Sequence, residues 1–113
     1  MIVVAWNNGA HNRNGSGYGF KVQAADRDEF FQKEWGTIVL EIDGEAEPAE
    51  IAIDPERFWG ENIRELTHPA VGKWMRRYGV APWPAGNPPV FGLEPVEANR
   101  FKVMKLAKGR RAF

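Results

Sequence analysis

The chain contains no cysteine, a single serine (Ser16), two histidines (His11 and His68) and no net charge. Without thiols there are no disulfides, no thiolate metal sites and no cysteine nucleophile; such a chain suits a reducing, cytoplasmic setting. One serine among glycines is not placed as a nucleophile elbow, and the two histidines have no acidic neighbours at metal-ligand spacing. No catalytic residue, metal or cofactor is therefore assigned. Long apolar runs are also missing. The longest, Met1–Trp6, is six residues, far short of the roughly 18 needed for a membrane helix. It lacks the basic flank of a secretory signal, so no membrane partner is expected.

What is present is enough for a folded domain. With 113 residues, 43% of them apolar and 12% aromatic, the composition excludes global disorder. One α+β domain over residues 1–107 is expected, followed by a basic, frayed tail at 108–113.

Zero net charge hides a segregation along the chain. Residues 26–65 hold 13 acids against 4 bases, and residues 66–113 hold 9 bases against 2 acids. Two outcomes are open. The segments form separate acidic and basic faces, or they interleave in space and cancel.

Periodicity gives the elements. Ile2–Trp6 is a continuous apolar run that reads as a central strand buried on both faces. Tyr18, Phe20 and Val22 alternate with Lys21 and Gln23, as in a half-buried strand. Asp26 with Glu29 forms a capping-box pattern for a helix from 27 to 35, stopped by Gly36. Ile38, Leu40 and Ile42 mark the strongest strand, and Asp43-Gly44 suits a turn into a second at 50–53. Asp54-Pro55 opens a helical turn through Phe58-Trp59, and a further turn is expected at 62–66. Thr67 reads as the N-cap of the best helix, where Val71, Trp74, Met75 and Tyr78 share a face and Gly79 ends it. Residues 81–89 carry four prolines and read as an extended surface segment, with Trp83-Pro84 as a candidate cis bond. Two strands, 90–96 and 100–106, close the chain. Strands in hairpin-like pairs with helices between them predict a mainly antiparallel sheet of about six short strands. It curls towards a partial barrel, with two or three short helices.

The candidate binding residues cluster in three places. The loop Asn7–Gly19 is long and rich in Asn and Gly, so its backbone can approach a ligand closely. Asn7, Asn8, His11, Asn12 and Arg13 supply amide, imidazole and guanidinium groups, and Tyr18 a ring. Trp83, stiffened by flanking prolines, either packs over a groove or presents its ring to a partner. Arg100 and Lys102 begin a basic stretch. Together they predict a small non-enzymatic binding module for a nucleotide, a modified base or single-stranded nucleic acid. The alternative is a protein–protein or homo-oligomerising module that uses its acidic edge (Glu41, Asp43, Glu45, Glu47, Glu50) or Trp83. Of the other tryptophans, Trp6 and Trp74 read as core.

Overall fold

A computed structural model describes residues 1–9, 12 and 14–105. The tail expected at 108–113 lies outside the described residues. The strands are β1 (Ile2–Asn7), β2 (Tyr18–Lys21), β3 (Thr37–Ile42), β4 (Ala49–Ala52), β5 (Glu65–Thr67), β6 (Val90–Glu97) and β7 (Arg100–Lys105). Two α-helices, α1 (Ala24–Phe30) and α2 (Pro69–Arg77), and one π-helical turn, Glu56–Gly60, lie between them. The strands form one mixed sheet in the order β4-β3-β7-β6-β1-β2-β5. Every neighbouring pair is antiparallel except β3 with β7. The sheet curls until it is nearly a barrel, which is the small α+β architecture the pattern predicts.

The curl follows from one-sided burial. In register across the sheet, Ile51, Ile38, Leu40, Phe101, Val103, Leu93, Phe91, Val3, Ala5, Phe20 and Leu66 all lie on the inner face, and all are buried. A one-faced apolar sheet removes that face from water by closing on itself. Phe31 stacks on Phe101 at 4.9 Å, with Trp35 and Phe58 against the same cluster. Elsewhere Trp74 and Phe20 pack on Phe91 at 5.2 and 5.4 Å. The stripe Val71, Trp74 and Met75 of α2 is buried as its spacing predicts. The Nε1 of Trp74 is buried without an acceptor among the described residues.

Several boundaries differ from the sequence reading. β1 lies between β6 and β2 but buries one face only: Val3 and Ala5 point in, while Ile2 is 43% exposed. Trp6 is therefore on the outer face and not in the core. Helix α1 starts after Gln23, with Asp26 in its first turn, and ends at Phe30 rather than residue 35. Extended backbone at Phe31 swings that ring onto Phe101, and this contact outweighs one more helical turn. His68, not Thr67, caps α2, its Nδ1 accepting from the Ala70 N–H at 3.0 Å. The cis bond is Ala81–Pro82.

The largest correction is β5. Residues 62–66 do not continue the helical turn, because Asn62 adopts a left-handed φ of 61°. Leu66 then points inward between Glu65 and Thr67, so the segment pairs with β2 as a seventh strand. A three-residue strand is too short for periodicity to separate it from one helical turn.

Candidate functional site

The Asn/Gly loop between β1 and β2 is a packed element over the residues described. Its polar side chains largely serve its own backbone. Asn7 Oδ1 accepts from the Gly9 N–H at 2.7 Å, and Asn14 Oδ1 from the Ser16 N–H at 3.0 Å. Asn12 Nδ2 donates to Ser16 Oγ at 2.9 Å. Asn8 donates its N–H to Gly17 O at 2.9 Å, and a Cβ on Gly17 would collide with the Asn8 amide. Helix α2 holds the loop from beneath. A Cβ on Gly15 would stand 2.1 Å from Pro69 O, and one on Gly72 would stand 2.2 Å from Gly15 O. Two glycines face to face let the loop backbone touch the helix backbone, a contact no other residue pair permits. Arg76 adds a clamp from the same helix, donating from Nε to Asn12 O at 3.2 Å and from Nη2 to the Tyr18 hydroxyl at 3.3 Å. His11 and Arg13 lie outside the described residues.

The other sequence candidates are not brought to that loop as one surface. Tyr18 is fully buried on the inner face. Trp83 packs edge-on against it at 5.7 Å and is partly buried, so its ring is at least half committed to the domain. Arg100 and Lys102 sit at the other end of the sheet. Phe91 pairs with both Val3 and Lys105, so Arg100 lies beyond the start of β1, whereas the loop follows its end. They share a shallow hollow with Glu41, Asp43 and Glu45. Arg100 Nε pairs with Glu41 Oε2 at 3.1 Å, and Arg77 pairs with Glu45. The acidic and basic segments interleave here.

A different site emerges where the sheet fails to close. The strip ends at β4 and β5, and residues 53–64 bridge the gap between them. A cleft of about 320 Å³ lies at this seam, lined by Trp6, Ala52, Ile53, Asp54, Arg57, Phe58, Ile63, Glu65 and Thr67. The bridge is irregular: the Glu61 N–H bonds Glu56 O at 2.8 Å in the wide π spacing, and Asn62 is left-handed. π-Turns and left-handed non-glycine residues are enriched at functional positions. The bridge is also held firmly. Asp54 Oδ1 accepts from the N–H groups of Glu56 and Arg57 at 3.0 and 3.4 Å. Arg27, nearly buried, reaches across from α1 to Phe58 O and Asn62 Oδ1 at 2.8 and 2.7 Å and lies over the Trp59 ring.

The backbone of the seam carries the chemistry. In an antiparallel ladder, residues alternate between exchanging hydrogen bonds with their partner and pointing them away. Ile53 donates to Gly36 O, which sets the phase of β4 against β3. Ala52 then turns its N–H and C=O away from β3, towards the seam. Val22 donates to Arg64 O, which sets the phase of β5 against β2. Glu65 and Thr67 then turn theirs away from β2, towards the same seam. Two short edges thus line one cleft with backbone donors and acceptors that have no strand partner among the described residues. Beside them stand an indole (Trp6), a guanidinium (Arg57) and two carboxylates (Asp54 and Glu65). Arg57 and Glu65 make no ion pair among the described residues.

Sequence reasoning missed this site. One signal was present: once Val3 and Ala5 are inside, strict alternation puts Trp6 outside. No acidic or histidine cluster able to hold a metal occurs among the described residues, and no helix there is long and apolar enough to cross a membrane. No family model, curated protein or solved structure matches the chain.

Proposed function

We propose that the protein is a small non-enzymatic interaction module that receives an extended segment of a partner protein along the open seam between β4 and β5. The observation that carries this reading is the direction of the backbone groups of Ala52, Glu65 and Thr67, which line the cleft without a strand partner. An exposed sheet edge is a template for another strand, and strand addition takes its affinity from main-chain bonds. The bridge keeps the two edges apart, so the slot stays open rather than closing into a complete barrel.

Selection from a random peptide library on the immobilised protein tests it. The expected binders are extended peptides whose affinity is lost on backbone N-methylation and on Thr67→Pro, which deletes one seam N–H. Binders indifferent to both changes would overturn the reading. A second reading keeps a nucleotide as ligand, its base on Trp6 and its phosphate on Arg57. The pairing of a partly buried indole with a guanidinium that makes no ion pair among the described residues favours it. It requires that adenosine monophosphate bind the protein and that Arg57→Ala abolish that binding.

A further inference from the structure

Resting on the seam reading, we infer that the segment received is cationic: it alternates apolar side chains directed inward with lysine or arginine directed outward. The first support is charge. The stretch from β4 to β5 carries Glu50, Asp54, Glu56, Glu61 and Glu65 against only Arg57 and Arg64. Arg64 is already committed, donating from Nε to Val22 O at 2.7 Å and from Nη1 to Asn62 O at 3.3 Å. None of the five carboxylates is in an ion pair among the described residues. Of these, Asp54 and Glu65 line the cleft itself, with Arg57 as the one base among its lining residues. The charges that line the cleft act on a guest strand within a Debye length of roughly 8–10 Å.

The second support is the parity of the sheet. Leu66 faces inward, as do the buried Ile53 and Phe58, so a strand laid in the seam meets apolar surface with every second side chain. Glu65 and Thr67 face outward in the same rows as Lys21 and Gly19, and Gly19 lies opposite Trp6. Since Gly19 has no side chain, the indole of Trp6 reaches the cleft across it and lines it together with Thr67. An outward cation on the guest strand therefore meets the Glu65 carboxylate directly across the pair and finds an indole within reach. Both contacts favour a cation. Arg57 opposes it, which makes Arg57 the point at which the sign of the guest can be read.

The experiment uses three labelled peptides of about ten residues: alternating Val and Lys, alternating Val and Glu, and the Val–Lys peptide with alternate amides methylated. Fluorescence anisotropy is recorded against the wild type, Glu65→Lys and Arg57→Glu, with circular dichroism confirming that each variant is folded. The Val–Lys peptide is expected to bind at least about tenfold more tightly than the Val–Glu peptide. Glu65→Lys should weaken it by about tenfold, and Arg57→Glu should strengthen it. Equal binding of the Lys and Glu peptides, with methylation still abolishing both, overturns the cationic preference and leaves the edge reading standing. Equal binding of the methylated peptide, or no binding by either unmethylated peptide, overturns the edge reading with it. Weakening of the Val–Lys complex by Arg57→Glu overturns the inference, and adenosine monophosphate binding lost in the same variant assigns the cleft to nucleotide.

Discussion

The loop between β1 and β2 and the seam between β4 and β5 present opposite relations between composition and availability. The loop is full of groups that bind ligands: asparagine amides, glycine backbone and a serine. Over the described residues those groups are largely satisfied within the loop or pressed against α2. The seam is composed of ordinary residues, yet its backbone and several of its charged groups are left open. Residue types tell what a segment can do in isolation; the ladder phase and the packing tell whether that capacity is already used.

The sharpest way to break this contrast is Gly72→Ala. Its methyl would stand 2.2 Å from the Gly15 carbonyl oxygen, and every atom it meets there belongs to the loop backbone. Loop or helix must move, and overpacking of this kind costs about 1–3 kcal/mol. Chemical denaturation should show that loss, with the thermal midpoint falling by roughly 4–12 °C. A change below a few tenths of a kcal/mol would mean that the loop is not clamped. Arg27→Ala strikes the seam instead. It leaves Phe58 O and Asn62 Oδ1 without their donor and uncovers Trp59, so a loss of about 2 kcal/mol is expected. Peptide binding at the seam should fall with it, whereas the loop amides should keep their exchange protection.

Arg76→Ala is the smaller counterpart on the loop side. The bonds that the partly exposed guanidinium donates to Asn12 O and the Tyr18 hydroxyl are lost, for about 1 kcal/mol in urea unfolding. Smallest of all in stability is Thr67→Pro. Its N–H points away from β2, and an edge strand tolerates proline there, so unfolding should shift by less than about 0.5 kcal/mol. Seam binding should nonetheless disappear. Amide exchange reads the contrast without mutation: the N–H groups of Asn8 and Gly15 are bonded and should exchange slowly. Those of Ala52, Glu65 and Thr67 should exchange fast until the slot is filled.

Much of the fold was legible from the residues. The alternation at 18–23 and 37–42, the helical stripe from Val71 to Met75 and the final hairpin appear where the pattern places them, whereas Tyr78 caps the helix and is exposed. The failures share a physical cause. Phe31 leaves its helix for a ring on β7, far along the chain. Trp6 faces out because the strand beside it, not its own apolar run, decides which side is covered. β5 lies against a bare glycine of β2, with Leu66 O 2.3 Å from where a Gly19 Cβ would be, a contact that only the distant strand reveals. Of the candidate site residues, Asn7, Asn8 and Asn12 share the loop, whereas Arg100 and Lys102 join an acidic neighbourhood at the far end. Sequence distance carries no information about which of these meet. The seam is invisible for a further reason: its strongest feature is the direction of main-chain bonds, which every residue but proline possesses.

The parallel pair, β3 with β7, has a consequence for the order in which the protein is made. β4 and β3 form a hairpin as soon as they are synthesised, and β1 with β2 and β5 form a second group. Within the sheet only the last hairpin joins these two groups, because β7 pairs with β3 while β6 pairs with β1. Ribosomes add about 5–20 residues per second, so β1 waits roughly 5–20 s for β6 to arrive. During that interval both halves show bare strand edges to solvent or to a chaperone. Newly made chains are thus most exposed to mispairing before their final hairpin emerges, and a chain truncated before β6 should aggregate rather than form a smaller domain.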